Sequence, residues 1–144
     1  MSYDRILVPT DGSGCARRGL QLAIEQARQF GATIHALYVV DQGIGRAGDW
    51  DIVVERQERE GEEALDTAGE LGTEAGIDVQ KHLRRGHPAE EILDFVSANG
   101  IDLIVMGTCG RSGFDRIRHA GSTTERVIRR ATVPVLAVPP EDAE

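Results

Sequence analysis

Lysine and aromatic side chains are scarce in this chain of 144 residues. Lys81 is the only lysine, whereas acidic residues number 24 and the formal net charge is −8. Surfaces that bind nucleic acid are normally basic, so this charge argues against a nucleic-acid partner. The shortage of lysine fits either a high-salt cytoplasm or a GC-rich genome that favours arginine codons.

Long apolar runs are also lacking, since no stretch approaches the roughly 20 residues that span a bilayer. The first ten residues have neither the basic start nor the apolar centre of a signal peptide. We therefore expect a cytoplasmic protein with no membrane partner. The length fits one ordinary domain, residues 1–144, with no linker or internal repeat.

Cysteine is limited to Cys15 and Cys109, which is compatible with a reducing compartment. No metal-ligand spacing joins them to the four histidines, which are scattered along the chain. All six residues are interpreted as isolated side chains, and no metal site is predicted.

Short apolar runs alternate with segments of helical periodicity. This pattern predicts one doubly wound α/β domain, with parallel strands, right-handed crossovers and helices on both faces. Gly31 and Gly100 are expected to stop two helices, whereas Gly61, Gly69 and Gly72 weaken the longest helix. The predicted strands are 5–8, 33–40, 77–84, 101–106 and 133–138, and the helices about 16–30, 50–75, 88–99 and 123–130.

The fourth strand is followed by a segment with glycine at 107, 110 and 113. It leads to Ser122-x-x-Glu125, which has the spacing of a helix capping box. Backbone amides exposed in such a loop, together with a helix N-terminus, form an anion site. A turn also needs glycine, so the pattern alone leaves a phosphate loop and a structural turn both open.

Asp11 follows the first strand, and its carboxylate would repel phosphate. In a nucleotide site it therefore belongs near the base or ribose. The alternative is that Asp11 caps the next helix, a role that Ser13 could take instead. No nucleophile with a paired base is visible, so we expect no enzyme.

Six motifs follow one another in the sequence: Ile6-Leu-Val-Pro-Thr-Asp-Gly-Ser13, Leu37-Tyr-Val-Val-Asp41, Gly86-His-Pro-Ala-Glu-Glu-Ile92, Asp102-Leu-Ile-Val-Met-Gly-Thr-Cys-Gly-Arg111, Gly121-Ser-Thr-Thr-Glu-Arg-Val127 and Val133-Pro-Val-Leu136. Together they resemble the universal stress protein family, over about Tyr3 to Pro139. The family's fold is a five-stranded parallel sheet with strand order 3-2-1-4-5. One branch binds ATP through the pattern Gly-x2-Gly-x9-Gly-Ser/Thr. Any ATP hydrolysis is expected to be slow and incidental.

The resemblance implies an ATP site, with any Mg²⁺ carried by the phosphates. The adenine and ribose side would be formed by Pro9, Thr10, Asp11 and Val39. The ribose and phosphate side would be formed by Met106, Gly107, Gly110, Arg111, Gly121, Ser122 and Thr123.

Two features depart from the family pattern: ten residues separate Gly110 from Gly121, and Cys109 stands where many ATP-binding members have histidine. The resemblance implies a regulatory module that acts by nucleotide occupancy on a partner protein that the sequence does not identify. It also implies a homodimer through the apolar last strand, Val133–Val138, whose free edge would otherwise invite aggregation. The alternatives are an interaction protein that binds no nucleotide and, less favoured, a phosphoryl or nucleotidyl transferase.

Overall fold

Strands and helices alternate along the chain as the sequence predicts. The computed structural model describes residues 3–41, 50–108 and 122–139, apart from the side chains of residues 50, 51 and 122. The predicted loop at 42–49 lies outside these residues. The elements are β1 (Arg5–Pro9), α1 (Gly14–Phe30), β2 (Thr33–Asp41), α2 (Trp50–Ala75), β3 (Val79–Gly86), α3 (Pro88–Asn99), β4 (Leu103–Gly107), α4 (Ser122–Arg130) and β5 (Val135–Val138).

The five strands form one parallel sheet in the order β3-β2-β1-β4-β5, which confirms the expected order. β1 is the central strand, and chain order reverses beside it because β2 lies on one side and β4 on the other. All strands end at the same edge, here named the carboxyl edge. In a sheet of this type, ligands bind beyond that edge where the strand order reverses.

Two apolar layers hold the helices on the sheet. Ile6 and Val8 of β1 belong to the layer beneath α1 and α2, whereas Leu7 belongs to the layer beneath α3 and α4. This alternation follows from the two-residue period of a strand. All three side chains are buried, so the central strand is covered on both faces. No helix in the described ranges has both the length and the apolar character needed to cross a bilayer.

The glycines that weaken the prediction of α2 allow it to approach the sheet closely. A Cβ on Gly61 would lie 2.6 Å from Cδ1 of Tyr38 on β2. A Cβ on Gly72 would lie 2.3 Å from Cγ2 of Val79 on β3. The loss of helix propensity at these positions is therefore offset by a helix–sheet contact that no larger residue permits.

β3 begins two residues later than predicted, because Ile77 takes part in the cap that follows α2. Gly76 is left-handed, with φ of 73°. Its N–H donates to the carbonyl of Thr73 over 3.1 Å, and the N–H of Ile77 donates to that of Gly72 over 2.8 Å. These two bonds form a Schellman motif, which uses the amide that would otherwise start the strand.

His35 of β2 and His82 of β3 contact each other on the α3 side of the sheet. Nδ1 of His35 lies 3.1 Å from Nε2 of His82, and Phe95 packs against both rings. Burial lowers the pKa of His35, and Arg5 lowers it further, whereas Asp78 raises it. Burial, His35 and Arg84 all lower the pKa of His82. The pair is therefore held as two neutral rings that share one hydrogen bond.

We predict that folding stability decreases as pH falls below about 6.5, the ordinary pKa of histidine. Both histidines have lower pKa values in the folded state, so the unfolded state binds more protons in this range. Their contribution is complete above that pH and is lost as pH falls toward the folded-state values. Urea unfolding at pH 7.5, 6.5 and 5.5 measures the decrease. His82→Gln should make this decrease in stability smaller. An equal dependence of stability on pH in the wild type and the variant would contradict the role given to the two histidines.

We predict opposite effects for alanine at two glycines of α2. Gly72→Ala should lower the free energy of unfolding by about 1–3 kcal/mol, because the added methyl overlaps Val79. Gly69→Ala should raise it by up to about 1 kcal/mol, because its Cβ would meet Lys81 at an ordinary 3.6 Å and alanine favours the helix. Urea denaturation compares the two variants. Stabilisation by both would show that α2 does not press on β3.

Candidate functional site

The loop after β1 remains attached to β2 as it passes the carboxyl edge. The N–H of Thr10 donates to the carbonyl of Leu37 over 2.9 Å, which extends the strand pairing beyond Pro9. The hydroxyl of Thr10 accepts from the N–H of Gly12 over 3.2 Å, and Gly12 is left-handed with φ of 82°. The backbone of this loop is therefore fixed before any ligand binds.

Asp11 and Ser13 have separate roles in that loop. Ser13 is the N-cap of α1, and its hydroxyl accepts from the N–H of Ala16 over 3.2 Å. Asp11 accepts from the N–H of Ser13 over 2.9 Å through Oδ1, which closes a short turn. Of the two caps that the sequence left open, the structure selects Ser13. Asp11 instead presents a half-buried carboxylate at the edge where ligands bind.

The end of β4 is held between α1 and α4. Met106 is 5% exposed and packs beneath α3, so only its backbone is available to a ligand. A Cβ on Gly107 would lie 3.0 Å from Sγ and 3.1 Å from the backbone carbon of Cys15. The hydroxyl of Thr124, in the first turn of α4, donates to the carbonyl of Gly107 over 2.7 Å. This bond fixes the start of α4 against the end of the central sheet.

The remaining predicted phosphate-side residues are only partly described. Gly110, Arg111 and Gly121 lie outside the described residues, as does the side chain of Ser122. Ser122 begins α4, and Thr123 is half-buried in its first turn. The carboxylate of Glu125 pairs with Arg129 over 2.7 Å along the helix. The capping box that involves Ser122 stays a prediction.

Cys15 corrects the expectation that the cysteines are isolated. The structure gives Cys15 as disulfide-bonded and 6% exposed in the first turn of α1. The other cysteine of the sequence, Cys109, lies outside the described residues. A disulfide depends on which segments meet in the folded protein, and the first turn of α1 lies against the end of β4. Spacing along the chain cannot show this contact.

Val39 and Asp41 lie at the end of β2, at the same edge of the sheet. The side chain of Val39 is half-buried and packs into the layer beneath α3, so its backbone is the part that a base could meet. The N–H of Asp41 donates to Oε1 of Gln57 on α2 over 2.9 Å. The ends of β1, β2 and β4 therefore bring Pro9, Thr10, Asp11, Val39 and Gly107 to one edge of the sheet.

A cleft of about 420 Å³ opens between the loop after β1 and the middle of α2. It is continuous with Asp11 and carries two further carboxylates from α2, so its walls favour groups that donate hydrogen bonds. Sequence reasoning had interpreted the glutamates of α2 only as a solvated face. The cleft is lined by Asp11, Gly12, Ser13, Glu60, Glu63, Ala64 and Thr67.

Sequence reasoning also missed Gln57 and Thr124. Both are polar residues on a helix face that otherwise packs into the core, and both are 5% exposed. A polar residue in a buried helical position was the signal that could have found them, because such a group needs a hydrogen-bond partner. From the sequence, Thr124 is identified only as part of the motif Gly121–Val127.

Comparison with known proteins identifies the family of this chain. The profile of the universal stress protein family matches residues 2–139. The chain belongs to the universal stress protein family. A universal stress protein of Methanocaldococcus jannaschii is 40% identical over 140 residues, which cover 94% of this chain and 82% of that protein.

Solved universal stress proteins have the same fold. UspA of Lactobacillus plantarum aligns with a TM-score of 0.82 and 28% identity, covering 96% of this chain and 99% of its own. A universal stress protein of Archaeoglobus fulgidus in complex with dAMP aligns with a TM-score of 0.72 and 27% identity, covering 96% and 99%. A relative with this fold therefore binds an adenine nucleotide.

Proposed function

We propose that this universal stress protein binds an adenine nucleotide, ATP in the first instance, and regulates a partner protein in the stress response through occupancy. The observation that carries the proposal is the bond between Thr124 and the carbonyl of Gly107. It holds a helix N-terminus beside the end of β4, where the strand order reverses next to β1. That position is where open α/β sheets bind ligands.

The chemistry of the two sides suits the two ends of a nucleotide. Gly107 has no side chain, and the first turn of α4 offers backbone amides and the positive end of a helix to phosphate. Asp11 would repel phosphate but accepts hydrogen bonds from ribose hydroxyls or from a base amine. Magnesium would be carried by the phosphates, because Asp11 is the only carboxylate among the predicted site residues.

Occupancy is preferred to turnover because the site residues predicted from the sequence pair no nucleophile with a base. Bound nucleotide would change the surface beside the start of α4. The complex of the Archaeoglobus fulgidus relative with dAMP supports an adenine nucleotide as the ligand.

We also propose that two copies pair through β5 in antiparallel orientation. β5 is the edge strand beside β4, and Leu136 remains 39% exposed on it. Unpaired backbone groups on an apolar edge strand favour pairing with another strand. A two-fold axis at β5 would bury Leu136 and leave the carboxyl edge of each copy open.

The second candidate is an interaction protein of the same fold that binds no nucleotide. Two observations favour it: the ten residues between Gly110 and Gly121, and the disulfide-bonded state of Cys15. The first lies in the segment that would hold the phosphates, and Cys15 lies beside Gly107, just before that segment. In this reading the segment is a structural connection.

The nucleotide proposal predicts measurable binding of ATP by calorimetric titration. Thr124→Val removes the hydroxyl at nearly constant volume and leaves the Gly107 carbonyl without its donor. The variant should bind ATP about tenfold more weakly, which corresponds to about 1.4 kcal/mol. Thr124→Ser keeps the hydroxyl and is the matched control, with affinity close to that of the wild type. Absence of ATP binding by the wild type would favour the interaction protein.

The dimer proposal predicts twice the monomer mass in light scattering at micromolar concentration. Leu136→Arg places a charge on the pairing edge and should shift the protein toward monomer. Ile52→Arg is the control, because Ile52 is 62% exposed on α2, which packs on β2 and β3 away from β5. A monomeric wild type, or equal dissociation of both variants, would contradict pairing through β5.

A further inference from the structure

Gln57 has a buried donor group with no partner in the described part of the chain. Its side chain is 5% exposed, and Nε2 makes no hydrogen bond. Oε1 accepts from the N–H of Asp41 over 2.9 Å. That contact places the amide group at the carboxyl end of β2, two residues beyond Val39.

The orientation of this amide group is fixed by its one hydrogen bond. A backbone N–H can only donate, so the atom of Gln57 that faces Asp41 must be the oxygen. Nε2 is therefore the remaining group, and it can only donate. Any ligand that satisfies it must present a hydrogen-bond acceptor.

An unsatisfied buried donor is costly, since it loses water without gaining a partner. Among described side chains, the other buried polar atom without a partner is Oε1 of Glu90, in the first turn of α3. α2 and α3 both enter the fold from the carboxyl edge. The two buried side-chain atoms without a partner among the described residues therefore both lie in helices that start at the carboxyl edge.

Gln57 does not line the cleft itself, but it lies one turn of α2 before residues that do. Glu60 and Ala64 follow it by three and seven residues, so the three share one face of the helix. Both line the cleft that reaches Asp11. A flat ligand at the ends of β1 and β2 would thus have carboxylate oxygens on one side and the amide donor of Gln57 nearby.

We propose that Gln57 reads the base of the bound nucleotide by donating from Nε2 to a ring nitrogen of the purine. The proposal rests on the proposed function and adds a specificity-determining residue to it. Adenine presents an amine that donates and ring nitrogens that accept. Carboxylate oxygens match the amine, and Nε2 of Gln57 matches a ring nitrogen.

The first test uses the wild-type protein and three analogues of ATP. The 1-deaza, 3-deaza and 7-deaza analogues each replace one ring nitrogen by carbon. One of them should bind at least about fivefold more weakly than ATP, because it leaves the buried donor without an acceptor. Equal affinity for ATP and for all three analogues would overturn the role of Gln57 while leaving nucleotide binding intact.

The second test links that loss to Gln57. Gln57→Glu keeps an oxygen for Asp41 and removes the donor, so it should bind ATP at least about fivefold more weakly. It should also no longer distinguish ATP from the analogue that the wild type rejects. Gln80→Glu, the same change at an exposed position of β3, is the control and should bind as the wild type does.

Gln57→Met removes the donor without adding a charge, in case the buried carboxylate prevents folding. It should show the same loss of discrimination among the analogues. Retained discrimination in a folded Gln57 variant would overturn the proposal. Failure of the wild type to bind ATP or any analogue would instead remove the nucleotide proposal, and the base-reading role with it.

Discussion

The parallel pairing of β1 with β4 is the constraint on which the rest of the fold depends. Ile6 aligns with Leu103 and Leu7 with Ile104, although nearly a hundred residues separate the two strands. This pairing makes β1 the central strand and forces the chain to cross the sheet between β3 and β4. After β1 the chain leads toward β2, whereas after β4 it leads toward β5. The loops that follow these two neighbouring strands therefore diverge, which opens a crevice at the carboxyl edge.

The shape of the crevice depends on how closely the helices approach the sheet. Gly61 and Gly72 let α2 lie directly on Tyr38 and Val79, where a methyl group would overlap. This close approach also brings the amide of Gln57 to the end of β2. The packing of α2 at Gly61 and Gly72 thus determines which polar groups reach the carboxyl edge.

The sequence predicted the fold because each element has its own local signal. Glycine at the end of α1 and of α3 adopts the left-handed cap that the pattern indicated. The predicted start of β3 was wrong, because the N–H groups of Gly76 and Ile77 donate back to the last turn of α2 and form a cap there. The disulfide of Cys15 and the contact of Gln57 with Asp41 had no local signal. They arise only when distant segments pack together, and the nature of the ligand stays a prediction for the same reason.

α1 contacts both the loop at the carboxyl edge and the end of β5. The guanidinium of Arg18 donates to the carbonyl of Pro139, just beyond β5, and Sγ of Cys15 lies 3.7 Å from the carbonyl of Val138. The same helix begins at Ser13, in the loop that carries Asp11. A shift of α1 would therefore move both the loop that carries Asp11 and the contacts to the end of β5. If nucleotide binding moves this helix, it changes the affinity of self-association by some factor. Thermodynamic linkage then requires that self-association changes the nucleotide affinity by the same factor, so this affinity would depend on protein concentration.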